Sequence, residues 1–248
     1  MELYFIRHGQ SVNNANWGKP EYVENPDAPL TEIGLEQAQA AANFLQKAQT
    51  IVDAKTWNIQ NRLGFGITHM YTSLMERAVQ TAGPTARALG VAFEAWEEIH
   101  EVGGIYAREG ELKFKGLPGR PRSYFEQNFP ELILSSKLNG TGWWNNRPAE
   151  TAEESHLRTQ KFLAELLARH GDKEGQPEHR VLIFSHGDFF VHLIFAILDA
   201  PYGQAAHGFR TWFAMNNCGI SRLDFRRNEV MFSYLNRTDH LPDHLITW

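Results

Sequence analysis

The sequence predicts an α/β fold with a mostly parallel central sheet, and three observations predict it. Short apolar runs at Leu3 to Ile6 and Val181 to Ser185 read as strands buried on both faces, the habit of parallel sheets. Strand-like runs alternate with helical periods along most of the chain, which favours a sheet with helices on both sides. Both apolar runs lead into a histidine and a glycine, as Arg7-His8-Gly9 and Ser185-His186-Gly187, and ligands of open α/β sheets bind just beyond the carboxyl ends of strands.

The remaining elements follow in order. Thr31 reads as the N-cap of a helix whose apolar face is Leu35, Ala38, Ala42 and Leu45. A polar connection over about 49–66 leads to a strand at Thr68 to Thr72 and a helix at Glu76 to Leu89. Between Ile105 and Glu150, glycine, proline and aromatic residues accumulate without periodicity, so this stretch reads as an ordered cap inserted into a single domain. Thr151 and Glu154 make a capping box for a helix with Phe162, Leu163, Leu166 and Leu167 on its apolar face, and Asp188 to Leu198 is a further helix. Strands are expected at Thr211 to Met215, Ile220 to Phe225 and Val230 to Leu235, the last two joined by a tight turn at Arg226 to Glu229.

Composition narrows the function classes. With 248 residues, 42% hydrophobic and 21% charged, the chain can bury one sizeable core. A net charge of −5 gives no footprint for nucleic acid or an anionic membrane, so neither is expected as a partner. The single cysteine, Cys218, excludes an internal disulfide and a multi-cysteine metal site, and no apolar run is long enough to span a bilayer. A soluble, cytoplasmic protein is the expectation.

Four separated pieces carry chemistry: Arg7-His8-Gly9-Gln10-Ser11 with Asn14, Ser73 to Thr81 with Arg77, Glu101 in His100-Glu101-Val102-Gly103, and Ser185-His186-Gly187. Two imidazoles at strand ends, ringed by two guanidiniums, suit a phosphate dianion. The guanidiniums neutralise the equatorial oxygens, and a neutral imidazole is a nucleophile near pH 7. An alkoxide leaving group needs a proton as its bond to phosphorus breaks, and Glu101 is the candidate donor, with Glu98 as runner-up.

These pieces, with Leu30-Thr31-x-x-Gly34-x-x-Gln37-Ala38 and Ser73-x-x-x-Arg77-Ala78-x-Gln80-Thr81, resemble in order and spacing the phosphoglycerate mutase-like branch of the histidine phosphatase superfamily. The resemblance covers about residues 1–100 and 150–198. It implies a three-layer α/β/α sandwich, phosphorylation of His8, phosphoryl binding by Arg7, Arg77 and His186, and neutral hydrogen bonds from Ser11, Asn14 and the Gly187 N–H. It also implies no metal and no organic cofactor. One motif departs from the family: many members carry the acidic residue four positions before a glycine, whereas Glu101 stands two before Gly103.

Bland readings stand beside these. Ser11 and Asn14 also suit helix capping, and Trp143 with Trp144 suits cap core. Arg108, Lys113, Lys115, Arg120 and Arg122 read equally as a second anion site or a solvated face. His240 and His244, in a proline-interrupted tail, read as exposed rather than ligating. A metal-independent phosphatase acting on a small phosphorylated substrate is the leading expectation, ahead of a phosphoglycerate-type mutase and a non-catalytic phospho-ligand module. An uncovered strand near the C-terminus is the expected route to a homodimer.

Overall fold

Along strand β1 (Glu2–Arg7), Leu3 and Phe5 point to one face and Tyr4 and Ile6 to the other, and all four are fully buried. A strand apolar on both faces needs cover on both, and the chain supplies it. Seven strands lie in the spatial order Leu132–Ile133 (β6), Phe93–Ala95 (β3), His69–Thr72 (β2), Arg180–Ser185 (β7), β1, Ile220–Arg226 (β8) and Glu229–Arg237 (β9). From β6 to β1 every neighbour pair is parallel; β8 and β9 add an antiparallel edge. The computed structural model describes residues 1–46, 58–110, 113–138, 140–202 and 211–248; much of the connection expected at 49–66 lies outside them.

Helices α2 (Glu32–Gln46) and α3 (Glu76–Leu89) cover the face of Tyr4, Ile6, Leu182 and Phe184, through Leu45, Val79 and Ala82. Helices α5 (Ala152–His170) and α6 (Gly187–Ile197) cover the other, through Phe162, Leu166, Phe189 and Phe190. The three-layer α/β/α expectation is met. Thr31 accepts the Gly34 N–H at 3.1 Å at the start of α2, and Thr151 with Glu154 closes the capping box of α5. Among the described residues, no helix is long and apolar enough to cross a membrane.

Several expectations shift. Leu35 is half exposed, and the inner face of α2 is made of Gly34, Gln37, Ala38, Ala41, Ala42 and Leu45 instead. Small side chains here let α2 approach α3 closely. Leu167 is likewise partly exposed at the rim of α5. His240 is half-buried against Phe44 rather than exposed, with ring centroids 5.2 Å apart. No strand forms at Thr211 to Met215, because β8 must begin beside the carboxyl end of β1, where Ile220 pairs with Ile6. The segment before β8 therefore crosses the sheet edge, and its Met215 carbonyl accepts from Arg7 at 2.5 Å rather than from a neighbouring strand.

The inserted stretch shares the main core. It holds a hairpin of Tyr106–Arg108 (β4) with Phe114–Gly116 (β5), a helix Arg122–Asn128 (α4), and β6, which extends the main sheet beside β3. Phe125 and Trp144 are fully buried in the same cluster as Ile6 and Phe184. The C-terminal β9 is an edge strand, as expected.

The loop after β1 is clamped by backbone contact with α2. A Cβ on Gly34 would stand 2.2 Å from the Gln10 carbonyl oxygen, and one on Gly9 would stand 2.6 Å from the Gly34 carbonyl oxygen. Glycine is required at both positions by space. Gly34→Ala is expected to destabilise the fold by about 1–3 kcal/mol through overpacking. A urea titration checks it, and a loss below about 0.5 kcal/mol would show that this contact yields freely.

Candidate active site

The parallel pairing of β1 with β7 sets Arg7 opposite Ser185, so the residues that follow, His8 and His186, leave the same edge of the sheet side by side. Their ring centroids are 5.2 Å apart. The His8 Nδ1–H donates to the Gly9 carbonyl oxygen at 2.7 Å, which leaves Nε2 unprotonated, and Arg77 Nε donates to that Nε2 at 3.1 Å. Burial, then the charges of Arg77 and Arg7, hold the His8 imidazole well below its ordinary pKa, so it is neutral. His186 is held neutral too, by burial first and then by Arg77.

Two nitrogens of this group lack any hydrogen-bond partner although they are buried: His186 Nδ1 and Arg7 Nε. The His186 Nε2 is engaged by the Ser73 hydroxyl at 2.9 Å. Burial also lowers the pKa of both guanidiniums, opposed first by Glu101 in each case, but an arginine stays charged over the accessible pH range. The result is a desolvated cationic pocket between two neutral imidazoles, a receptor for a tetrahedral dianion.

Glu101 lies within electrostatic reach of both Arg7 and Arg77. Its Oε1 accepts the N–H groups of Val102 and Phe189, each at 3.0 Å, and its Oε2 accepts that of Asp188 at 3.4 Å, which places the carboxylate at the positive end of α6. The Gly187 N–H, also in that first turn, is not taken by Glu101. Glu98 sits apart, exposed on the short turn Glu97–Ile99 and lining a surface depression with Glu154, Lys161 and Glu165 of α5.

Ser11 and Asn14 are engaged in capping. The Ser11 hydroxyl accepts the Asn14 N–H at 3.2 Å, and Asn14 Oδ1 takes the Ser11 N–H at 3.1 Å, at the start of the short helix α1 (Val12–Asn16). Asn217 donates to the same Oδ1 and to the His8 carbonyl oxygen, both at 3.2 Å.

The framework motifs act through the loop that holds His8. Thr81 Oγ1 accepts the Gly9 N–H at 3.0 Å, Gln37 Oε1 accepts the Gln10 N–H at 2.7 Å, and Gln80 Oε1 accepts the Leu30 N–H at 2.7 Å. The insertion steadies the rest. Trp143 and Trp144 pack on the His100 ring beside Glu101, at 5.6 and 4.9 Å. Arg120 and Tyr124 bind Glu76 at the start of α3, one residue before Arg77. Of the other basic residues in that stretch, Lys113 and Lys115 pair with Glu109 and Arg122 with Glu126, as a solvated face does.

The sequence assigns no role to Ser73, although it opens a quoted motif, nor to Asp27, Glu76 or Asn217. Ser73 and Glu76 lie inside a recognised motif, whereas nothing local marks Asn217, which arrives from the segment before β8. Asp27 is buried beside Arg77, accepts the Glu76 N–H at 2.9 Å, and has its carboxyl pushed up to about 6 by burial. Cys218 is a buried thiol whose pKa burial pushes up, so it is no nucleophile.

The family model of the histidine phosphatase superfamily (branch 1) matches residues 3–238. The chain belongs to the histidine phosphatase superfamily. A probable phosphoglycerate mutase GpmB from Yersinia pestis (strain Pestoides F) is 25% identical over 234 residues, covering 94% of this chain and 89% of that protein. Among solved structures, a mycobacterial glucosyl-3-phosphoglycerate phosphatase aligns at TM-score 0.59 and 19% identity, covering 96% of this chain and 99% of the other. A phosphoserine phosphatase from Entamoeba histolytica aligns at TM-score 0.57 and 20% identity, covering 97% and 99%. At such identities the structures show the shared fold.

Histidines kept neutral by burial give this family member a pH-dependent stability. His8, His100 and His186 all fall well below 6.5 in the folded chain. Below that pH the unfolded chain takes up protons that the folded chain refuses, so stability falls as pH falls. Each imidazole contributes up to about 1.4 kcal/mol per pH unit. Asp27 acts oppositely between its ordinary 3.8 and about 6, one group against three. Urea unfolding is expected to give lower stability at pH 5.5 than at pH 7.5; equal or greater stability at pH 5.5 would contradict neutral burial of these rings.

Proposed function

We propose that the protein is a phosphomonoesterase that works through a phosphohistidine at His8 and needs no metal for turnover. The observation that carries this reading is the pair of buried, partnerless nitrogens, His186 Nδ1 and Arg7 Nε, beside a neutral His8 whose Nε2 is unprotonated. Buried polar atoms are rarely left unsatisfied, and phosphoryl oxygens would satisfy both.

In the first step His8 Nε2 attacks phosphorus, the N–P bond forms and the ester P–O bond breaks. The departing alkoxide takes the Glu101 proton. In the second, water gives a proton to the Glu101 carboxylate as its oxygen attacks phosphorus, the N–P bond breaks, and orthophosphate leaves with His8 neutral again. Arg7, Arg77, His186 and the Gly187 N–H hold the equatorial oxygens in both steps. Asn14 contributes through Nδ2, because its Oδ1 is taken by capping. We favour small phosphorylated metabolites as substrates and the cytoplasm as the setting.

A second reading is a phosphoglycerate-type mutase, which the name of the Yersinia relatives favours. It shares every core residue and differs in whether water or substrate receives the phosphoryl group. Against it, the segment after the second histidine, Leu198-Asp199-Ala200-Pro201, lacks the Gly-Ile-Pro-type stretch of the family's mutases.

Release of orthophosphate from a panel of phosphomonoesters in EDTA is the test. Turnover is expected in EDTA, with a loss of roughly 10,000-fold or more in His8→Ala. Glu101→Gln keeps a cap acceptor for α6 but has no proton to give, so kcat should fall roughly 100-fold or more while the unfolding curve stays close to that of the parent. Interconversion of 3- and 2-phosphoglycerate without orthophosphate release would establish the mutase instead. Full activity in His8→Ala would end both readings.

A further inference from the structure

At the other end of the same strands the fold gathers three imidazoles. His69 opens β2, His170 ends α5, and His179 immediately precedes β7. One ring nitrogen from each lies within 4.8 Å of the others, and the ring centroids are 4.4 to 5.2 Å apart. Because β1, β2 and β7 are parallel, this cluster stands at their amino ends while His8 and His186 stand at the carboxyl ends. The length of the sheet separates the two groups.

We propose that His69, His170 and His179 form a binding site for a divalent transition-metal ion of the zinc class, remote from the phosphoryl chemistry. Zinc-type ions favour neutral imidazole nitrogen, and three histidines with a water complete a four-coordinate shell. Two of the rings are already anchored through their second nitrogen: His170 Nε2 is 3.0 Å from the Tyr71 hydroxyl, and His69 Nδ1 is 2.8 Å from Thr68 Oγ1. Ligating histidines are oriented in this way, with the outer nitrogen held by a protein partner and the inner one turned to the ion.

His170 Nδ1 and His179 Nδ1 lie 3.0 Å apart. Neighbouring nitrogens of a tetrahedral zinc site, at Zn–N distances of about 2.0–2.1 Å, stand about 3.3 Å apart, so this pair already has nearly the required span. His69 and His179 are each only partly buried. His170 and His179 open onto a surface cavity of about 330 Å³ lined by charges of both signs, Asp172 and Glu178 with Lys173, Arg226 and Arg227, which provides an entry path. Both carboxylates also face the Met1 amine, and Glu178 faces Arg226.

A bound ion would tie the end of α5 and the nearby start of β7 to the start of β2, which is far away in sequence, and would raise stability by mass action. Without an ion, the two Nδ1 atoms can only share one proton as a hydrogen bond, and metal binding distinguishes these states.

The full chain, stripped with EDTA and then freed of it, is dialysed against Zn2+, with Co2+ absorption reporting coordination. One equivalent of Zn2+ is expected in the wild type and equally in His8→Ala, with a rise in Tm and the intense visible bands of four-coordinate Co2+. His69→Gln and His179→Gln, folded by circular dichroism, should each bind roughly 100-fold more weakly or worse. Less than one equivalent bound at about 100 µM Zn2+ overturns the proposal. So does wild-type affinity in either glutamine variant, or a loss of binding in His8→Ala, which would place the ion at the catalytic histidines.

Discussion

Everything at the candidate site depends on the register of one parallel strand pair. With Arg7 opposite Ser185, the next residue of each strand is a histidine, and two imidazoles emerge together at the sheet edge. Burial then does two different things to the groups collected there. It keeps the imidazoles neutral, because a proton on either would be a desolvated charge beside two guanidiniums. It leaves the guanidiniums charged, because their intrinsic basicity exceeds the penalty and Glu101 opposes it. Nucleophile and electrostatic receptor thus arise from one environment acting on two chemistries.

Holding a loop at that edge requires backbone partners. The N–H groups of Gly9, Gln10 and Leu30 are received by Thr81, Gln37 and Gln80, and Gln37 passes the tie on to the Leu245 carbonyl oxygen at 2.6 Å. Gln37 of α2 and Gln80 and Thr81 of α3 therefore hold the His8 loop through its backbone, while Arg77 of the same α3 reaches the site itself. The same economy governs Glu101, whose carboxylate sits on the first amides of α6 and so is positioned by the helix that His186 begins. The inserted segment completes this support from outside, with Trp144 against the Glu101 loop and Arg120 against Glu76.

The parallel sheet also creates a second congregation point. Strand starts, like strand ends, bring together residues distant in the chain, and here they set His69 beside His179 and the His170 that ends α5. The two ends differ in solvent. At the carboxyl end His8 and His186 are buried, which keeps their imidazoles neutral beside the two guanidiniums. The amino end opens to the surface, which suits exchange of an ion.

By itself the sequence determined the elements whose signals are local. Apolar runs marked β1 and β7, glycine and arginine at fixed spacing marked the motif helices, Thr151 with Glu154 marked the start of α5, and His8, His186, Arg7 and Arg77 were named from strand-end placement and motif order. Tertiary structure decided what local signals do not carry. It exposed Leu35, because α2 meets α3 through its small residues, and it kept Thr211 to Met215 out of the sheet, because β8 must start beside Arg7. It set Glu101 by both guanidiniums and Glu98 on an outer surface, and it brought Asn217 beneath His8. It also gathered three histidines whose spacing in the chain predicts nothing. Periodicity and capping act over a few residues and can be read along the chain; which distant groups share a strand end is fixed only when the whole sheet is packed.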